Sequence, residues 1–521
     1  MKKAIRIRQA VQLAALCFFL ITVLQANYPF NPWIPPELFL WLDPLTALTT
    51  MAAERTWIPW FLLSVIVLVS PIIVGRGFCG WFCPLGTLID ISDRIIAPRK
   101  SRSGRRFRHW KTILLVLFIF SSIFSFQIVW LMDPLVLLWR TFGSVIFPLI
   151  TFLFNGSFDL MLDAGLRSDF LFDFYDTVAL KVLPLESTWV NGASIVAAMF
   201  VLVLGLSFFS KRFWCRNLCP LGALLGLLSK FSPFQRIVNS DTCNDCGLCN
   251  RGCKMGAIED DFVTTEKSEC IFCLNCSKVC KPGATSYKYY SPTSMLSPVD
   301  LTRRSFFSSS AAGIVVAGST NLLHDTESRP DHFIRPPGAR KEEAFLDRCI
   351  RCNECVRICA TTGRCLQPVN FEAGFAAFWT PYADFSVGYC EFNCNLCGEI
   401  CPTSAIETLP LKWKQVRVMG LAIIDEKSCI PFEKSENCIV CEEHCPTPNK
   451  AIVFEKRPGE AKDTGLQNGD EDNVLLLPKV NKRYCIGCGI CETKCPVEGV
   501  SAIRIVREGE VRKDYRRFNY V

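Results

Sequence analysis

Cys243-Asn-Asp-Cys246-Gly-Leu-Cys249-Asn-Arg-Gly-Cys253 is followed by Cys270-Ile-Phe-Cys273-Leu-Asn-Cys276-Ser-Lys-Val-Cys280. Both runs are C-x2-C-x2-C-x3-C, a spacing that holds [4Fe–4S] clusters in pairs. Three thiolates on a tight loop cap three irons of one cube, and the fourth cysteine begins a helix that reaches the other cube. On that rule Cys243, Cys246 and Cys249 pair with Cys280, while Cys270, Cys273 and Cys276 pair with Cys253. A zinc ribbon needs two C-x2-C pairs and no trailing cysteine, so the ligand count favours clusters. Lys254 stands where proline usually follows the fourth cysteine, and after Cys280 the proline is displaced to Pro282; no ligand is lost.

Four more groups lie downstream. Cys349, Cys352, Cys355 and Cys359 repeat the spacing, as do Cys485, Cys488, Cys491 and Cys495. In Cys390, Cys394, Cys397, Cys401 and in Cys429, Cys438, Cys441, Cys445 the first gap is stretched, and Pro402 and Pro446 follow the fourth cysteine. Cys365 lies six residues beyond Cys359 and is an alternative ligand, although the regular spacing favours Cys359. How these four groups pair is open at this stage. The chain holds 30 cysteines, and disulfide frameworks of small secreted domains do not predict one short spacing recurring along 521 residues. Cys17, in an apolar stretch, reads as a small buried hydrophobe.

Half of the residues are hydrophobic and only four are histidine, which disfavours a haem protein or a His-rich metal enzyme. Apolar stretches near 9–26, 57–74, 112–131 and 194–209 approach the length of a membrane-crossing helix. Val136–Phe154 is apolar too, but Arg140, Gly143 and Pro148 interrupt it, and it reads as interfacial or re-entrant. Lys and Arg collect at the N-terminus, in 94–111 and around 211–216, which puts both ends of a four-helix domain in the cytoplasm. Residues 1–230 are thus expected to form the membrane domain, 231–300 a two-cluster domain and 324–521 a four-cluster domain. Between the last two, Thr302-Arg-Arg-Ser-Phe-Phe307 precedes the weakly apolar Ser308–Leu323, either a fifth span or a clipped segment. Residues 459–473 read as a polar surface loop.

A duplicated motif completes the set. Gly77-Phe-Cys79-Gly-Trp-Phe-Cys83-Pro-Leu-Gly86 recurs as Arg212-Phe-Trp-Cys215-Arg-Asn-Leu-Cys219-Pro-Leu-Gly222. Buried free cysteines are common, but the shared context argues for Cys79, Cys83, Cys215 and Cys219 converging on a metal or redox centre.

These motifs resemble two protein families joined in one chain. Residues 1–290 are similar to NapH, the membrane ferredoxin-type protein of periplasmic nitrate reduction, and share the C-x3-C-P layout of NosR and CcoG. Residues 301–521 resemble NapG and MauM, and Thr302–Phe307 resembles a twin-arginine export signal. The resemblance implies a membrane α-helical bundle of four to five spans with two α+β ferredoxin-like domains. It further implies six [4Fe–4S] clusters in a bacterial-type inner membrane, with residues 231–300 cytoplasmic and 324–521 periplasmic. The implied partners are membrane lipid, the quinone pool and a periplasmic reductase or cytochrome; nothing calls for nucleic acid. Electrons would pass from quinol to that acceptor, with the aromatic rims, including Trp81 and Trp214, as candidate quinone walls. The alternative is an accessory role, supplying electrons that keep a periplasmic metalloenzyme active. A stand-alone enzyme lacks support, since there is no C-x-x-C-H haem site and no Gly-rich dinucleotide fingerprint.

Overall fold

Four helices of the N-terminal half begin with a short polar or thiol residue followed by proline. Asp43 opens Pro44–Glu54, Cys83 opens Pro84–Ile95, Asp133 opens Pro134–Thr141 and Cys219 opens Pro220–Ser229. Each side chain accepts from backbone N–H groups of the first turn, while proline occupies a position with no intrahelical bond to lose. The computed structural model describes residues 2–28, 30–96, 107–181, 189–289, 302–322, 330–458, 474–508 and 510. Most of the basic run 94–111 and the loop 459–473 lie outside the described residues.

By length and composition, two helices among the described residues suffice to cross a membrane, Lys3–Leu24 and Pro134–Asp163. The first matches the expected span. The second is the segment expected to be interfacial, and it is instead one continuous 30-residue helix. Its interruptions are absorbed locally. A π turn over Phe142–Ile146 precedes Pro148, so the ring meets a loosened ladder rather than a regular i−4 carbonyl. The other expected spans form shorter apolar helices, Pro59–Val74, His109–Ile123 and Ala193–Phe208. Cys17 corrects its expectation: it is exposed on the helix Lys2–Leu24.

The two cysteine-rich regions, 231–289 and 330–510, sit at opposite ends of this bundle. At one end Arg8 donates to the Gly80 carbonyl, and Arg76 and Lys111 pair with Glu269. At the other, Arg357 donates to the carbonyls of Val23 and Ala26, Arg351 to that of Gln127, and Asn353 to Ser144. Arg8 and Val23 stand about 22 Å apart along one helix, at 1.5 Å per residue. The helix Arg303–Leu322 packs along His109–Ile123, where Gly313 lies so close that a Cβ would come within 2.6 Å of the Leu117 carbonyl oxygen.

Downstream of the bundle one unit recurs. In the first copy Phe234–Val238 pairs antiparallel with Thr285–Tyr289, closing the ends of a segment that carries two cysteine groups. Leu421–Ile424 and Ile503–Val506 close the last two groups in the same way, with Ile452–Pro458 and Val474–Val480 pairing between them. Between those copies, the Ala339–Ile406 bridge closes the Cys349 and Cys390 groups around Leu366–Pro368 and Pro381–Ala383. Among the described residues of 330–510, the closed two-group unit therefore occurs twice in tandem.

Candidate metal centres

The four regular cysteine loops share an unusual backbone. The residues flanking the middle cysteine have positive φ: Asp245 and Gly247, Phe272 and Leu274, Arg351 and Asn353, Gly487 and Gly489. Left-handed φ costs a non-glycine residue roughly 1–2 kcal/mol, yet Phe, Leu and Arg carry it here. Strain of this kind persists where surrounding structure demands it, typically at functional sites. Paired left-handed residues turn successive N–H groups inward, making a concavity suited to an anionic group. In the stretched groups the corresponding Asn395 and Ile439 keep negative φ, so the longer first gap replaces the strained turn.

Four cavities follow in the C-terminal region, each lined by four or more cysteines. One collects Cys349, Cys352, Cys355 and Cys401; a second collects Cys390, Cys394 and Cys397 with Cys359 and Cys365. A third collects Cys429, Cys438, Cys441 and Cys495, and a fourth collects Cys485, Cys488 and Cys491 with Cys445. In every case three thiols come from one group and the last cysteine of its neighbour joins them, so each unit exchanges its last cysteines; Cys365 is a fifth thiol in the second cavity. Among the described residues no group of three or more ligating side chains is close enough to hold a single metal ion; the thiols surround a space. The walls are apolar, and amides meet the sulfurs: Ile406 N–H donates to Cys401, Ala451 to Cys445 and Ala422 to Cys485, at 3.3–3.5 Å. That donor set fits a cubane cluster, whose thiolate charge such N–H groups offset.

Burial, then neighbouring thiols, pushes Cys429 up to about 11 and Cys441 up to about 12. Cys488 is pushed up to about 12, by burial foremost. A metal must therefore displace a proton from each at neutral pH. The cavities form a series. Cys355 feels Cys401 and Cys397, the Cys390 amide donates to the Cys488 carbonyl at 2.9 Å, and Cys491 feels Cys441 and Cys445. The order outward from the bundle is thus Cys349, Cys390, Cys485, Cys429.

In the 231–289 region Cys253 is an electrostatic neighbour of Cys270, Cys273 and Cys276, the grouping expected from the spacing. Tyr287 Oη lies 2.9 Å from Cys276 Sγ, and Ala257 N–H donates to Cys253. This centre abuts the duplicated motif: Cys79 and Cys215 pack against the same small core as Cys253 and Cys270. Cys83 and Cys219 cap their helices by accepting from Gly86 and Gly222 at 3.4 and 3.3 Å. The two halves also clasp each other. Arg212 donates to the carbonyls of Cys79 and Gly86, while the Arg76 guanidinium lies 2.7 Å from where a Gly222 Cβ would stand.

Arg76 and Arg212 stand three residues before Cys79 and Cys215 in the same repeat; Arg76 lies just outside the motif as read from the sequence, and Arg212 opens its second copy with no role assigned there. Arg212 and Lys254 both pair with Asp90, at 2.7 and 2.8 Å. Arg76 and Lys111 instead take Glu269, beside Cys270. The lysine that replaces proline after Cys253 is therefore a docking contact. Trp81 has the same use, its Nε1 donating to the Phe272 carbonyl at 3.1 Å, and Trp214 is buried in the core.

A family model described as a 4Fe-4S binding domain matches residues 56–103 and again 193–238, one copy on each C-x3-C-P motif. A second model of that description matches 478–501. The ferredoxin-type protein NapG of Escherichia coli K12 is 30% identical over 213 residues, 40% of this chain and 86% of NapG. The methylamine utilization ferredoxin-type protein MauM of Paracoccus denitrificans is 30% identical over 206 residues, 38% of this chain and 82% of MauM. The putative electron transport protein YccM of E. coli K12 is 28% identical over 227 residues, 43% of this chain and 54% of YccM. No solved structure matches the chain. With its cysteine-lined cavities and a NapG relative covered over most of its length, the chain belongs to the NapG and MauM family of ferredoxin-type iron–sulfur proteins.

Proposed function

We propose that this protein, set in a bacterial-type inner membrane and holding six [4Fe–4S] clusters, passes electrons from the quinol pool to a periplasmic reductase. The observation that carries the reading is the placement of cysteine-lined sites at both ends of one helical bundle, with four cavities in series beyond one end. When bound, each cube supplies a one-electron store whose potential the protein sets. The chain's own residues hold the thiols, cover them with apolar walls and aim amides at the sulfurs.

A membrane setting is supported by apolar side chains left exposed on the bundle, among them Trp57, Leu62, Ile66, Phe152, Val201 and Phe208. Exposed apolar area on that scale needs an apolar neighbour. On this reading the short helices also cross, and residues 231–289 face the cytoplasm. Residues 330–510 then face the periplasm, as the resemblance to a twin-arginine protein implies. Electrons enter from quinol in the helical domain and leave toward a periplasmic reductase or cytochrome from the Cys429 cavity, the outermost of the series. The four thiols of Cys79, Cys83, Cys215 and Cys219 form a further metal or redox centre between the repeats.

Full-length protein in sealed proteoliposomes, given reduced quinone, tests this. Bleaching of cluster absorbance within the mixing time, with reoxidation by an external acceptor protein, is the expected result. No bleaching, combined with cofactor loss from a periplasmic metalloenzyme in a deletion strain, would move the assignment to maintenance.

A further inference from the structure

Five cysteines, not four, surround the Cys390 cavity: Cys390, Cys394, Cys397, Cys359 and Cys365. Cys365 is only 2% exposed, and its Sγ lies 3.9 Å from that of Cys359. The chain between them is held firmly. Arg364 N–H donates to the Cys359 carbonyl at 2.9 Å, Tyr389 N–H to Gly363 at 2.8 Å and Asp384 N–H to Cys365 at 2.7 Å. Gly363 and Gly388 permit this contact, since a Cβ on either would fall 2.0–2.2 Å from a backbone oxygen.

Comparison with the other units shows what is special. The sulfur of a fourth cysteine is met by the amide of an apolar residue four to six positions on: Ala257 for Cys253, Ile406 for Cys401, Ala451 for Cys445. In this unit the sixth position is a thiol. Cys401, Cys445 and Cys495 are each followed by proline, whereas Ala360 lets the helix Glu354–Ala360 run through Cys359. The fourth ligand thus sits on a helical turn, with a second thiol directly behind it.

We propose that Cys359 and Cys365 are interchangeable fourth ligands of the iron–sulfur cluster in this cavity, an assignment that rests on the cluster reading above. In the exchange the iron–sulfur bond to Cys359 breaks and one to Cys365 forms. The Cys365 thiol proton passes to Cys359, and no electron is gained or lost. Because the cavity stands second in the series of four, the exchange would alter the potential of an interior step.

Full-length protein purified anaerobically decides the matter, by iron content and by the EPR spectrum of the reduced protein. Wild type should hold about 24 iron per chain, four for each cube; a shortfall there would count against the six-cluster reading, not the exchange. Cys359→Ala should keep the wild-type iron content with one altered cluster signal. Cys365→Val, which restores the apolar side chain of the other units, should keep both iron and spectrum. The double variant should lose about four iron, or show a three-iron signal when oxidised. Loss of that iron by Cys359→Ala alone would overturn the proposal. So would an unaltered Cys359→Ala spectrum, or loss by Cys365→Val alone. Cys365→Val also reports on folding, because it leaves the expected primary ligand in place.

Discussion

Cys429, Cys441 and Cys488 are raised to about 11, 12 and 12. A raised thiol keeps its proton until the pH climbs through the raised value, so at neutral pH protons compete with iron. Reconstitution of apoprotein should release protons measurable with a pH indicator, and should become more complete between pH 7 and 9. Glu269 is a second test. It is buried between Arg76 and Lys111, and Glu269→Gln removes the charge they share. Breaking a buried pair by deleting one partner costs roughly 3–5 kcal/mol. The variant should expose residues 231–289 to protease far faster than wild type; an unchanged digestion rate would show that the charges do not hold the domain.

Elements explain both what the sequence displayed and what it concealed. Spacing revealed the cysteine groups because thiol ligation to one cube demands short, fixed gaps. It could not reveal pairing among the last four groups, since that depends on how helices and strands fold back. Exchange within each tandem unit is read from the cavities alone. Pro148 misled for a related reason: proline argues against a regular helix, but a preceding π turn removes the clash. Lys254 was a departure from pattern until its partner Asp90 was in view. The pairing has a direct test. Cys485→Ala with Cys445→Ala strikes one cavity and should lose about four iron; Cys485→Ala with Cys495→Ala strikes two and should lose about eight. Equal losses would refute exchange within the last unit. Gly313→Ile tests the helix seam: its side chain would meet the Leu117 carbonyl, and Arg303–Leu322 should separate from His109–Ile123, lowering the yield of a disulfide engineered across them.

On the scale of the whole molecule, the helical bundle separates two cysteine-rich regions that dock on its opposite ends. Glu269 and Lys254 join residues 231–289 to the first C-x3-C-P half, one through a carboxylate that meets Arg76 and one through an ammonium that meets Asp90. Arg351, Asn353 and Arg357 join the first outer unit to the opposite helix ends. Opposite placement predicts that protease added to sealed, right-side-out vesicles cleaves within 330–510 and spares 231–289. Cleavage of both, or of 231–289 alone, would refute the topology. Whether all six cysteine groups hold cubane clusters is decided by anaerobic iron and acid-labile sulfide analysis of the purified full-length protein. Cubes on all six four-cysteine groups would carry about 24 of each per chain. A value near eight, enough for one unit only, would contradict the six-cluster reading.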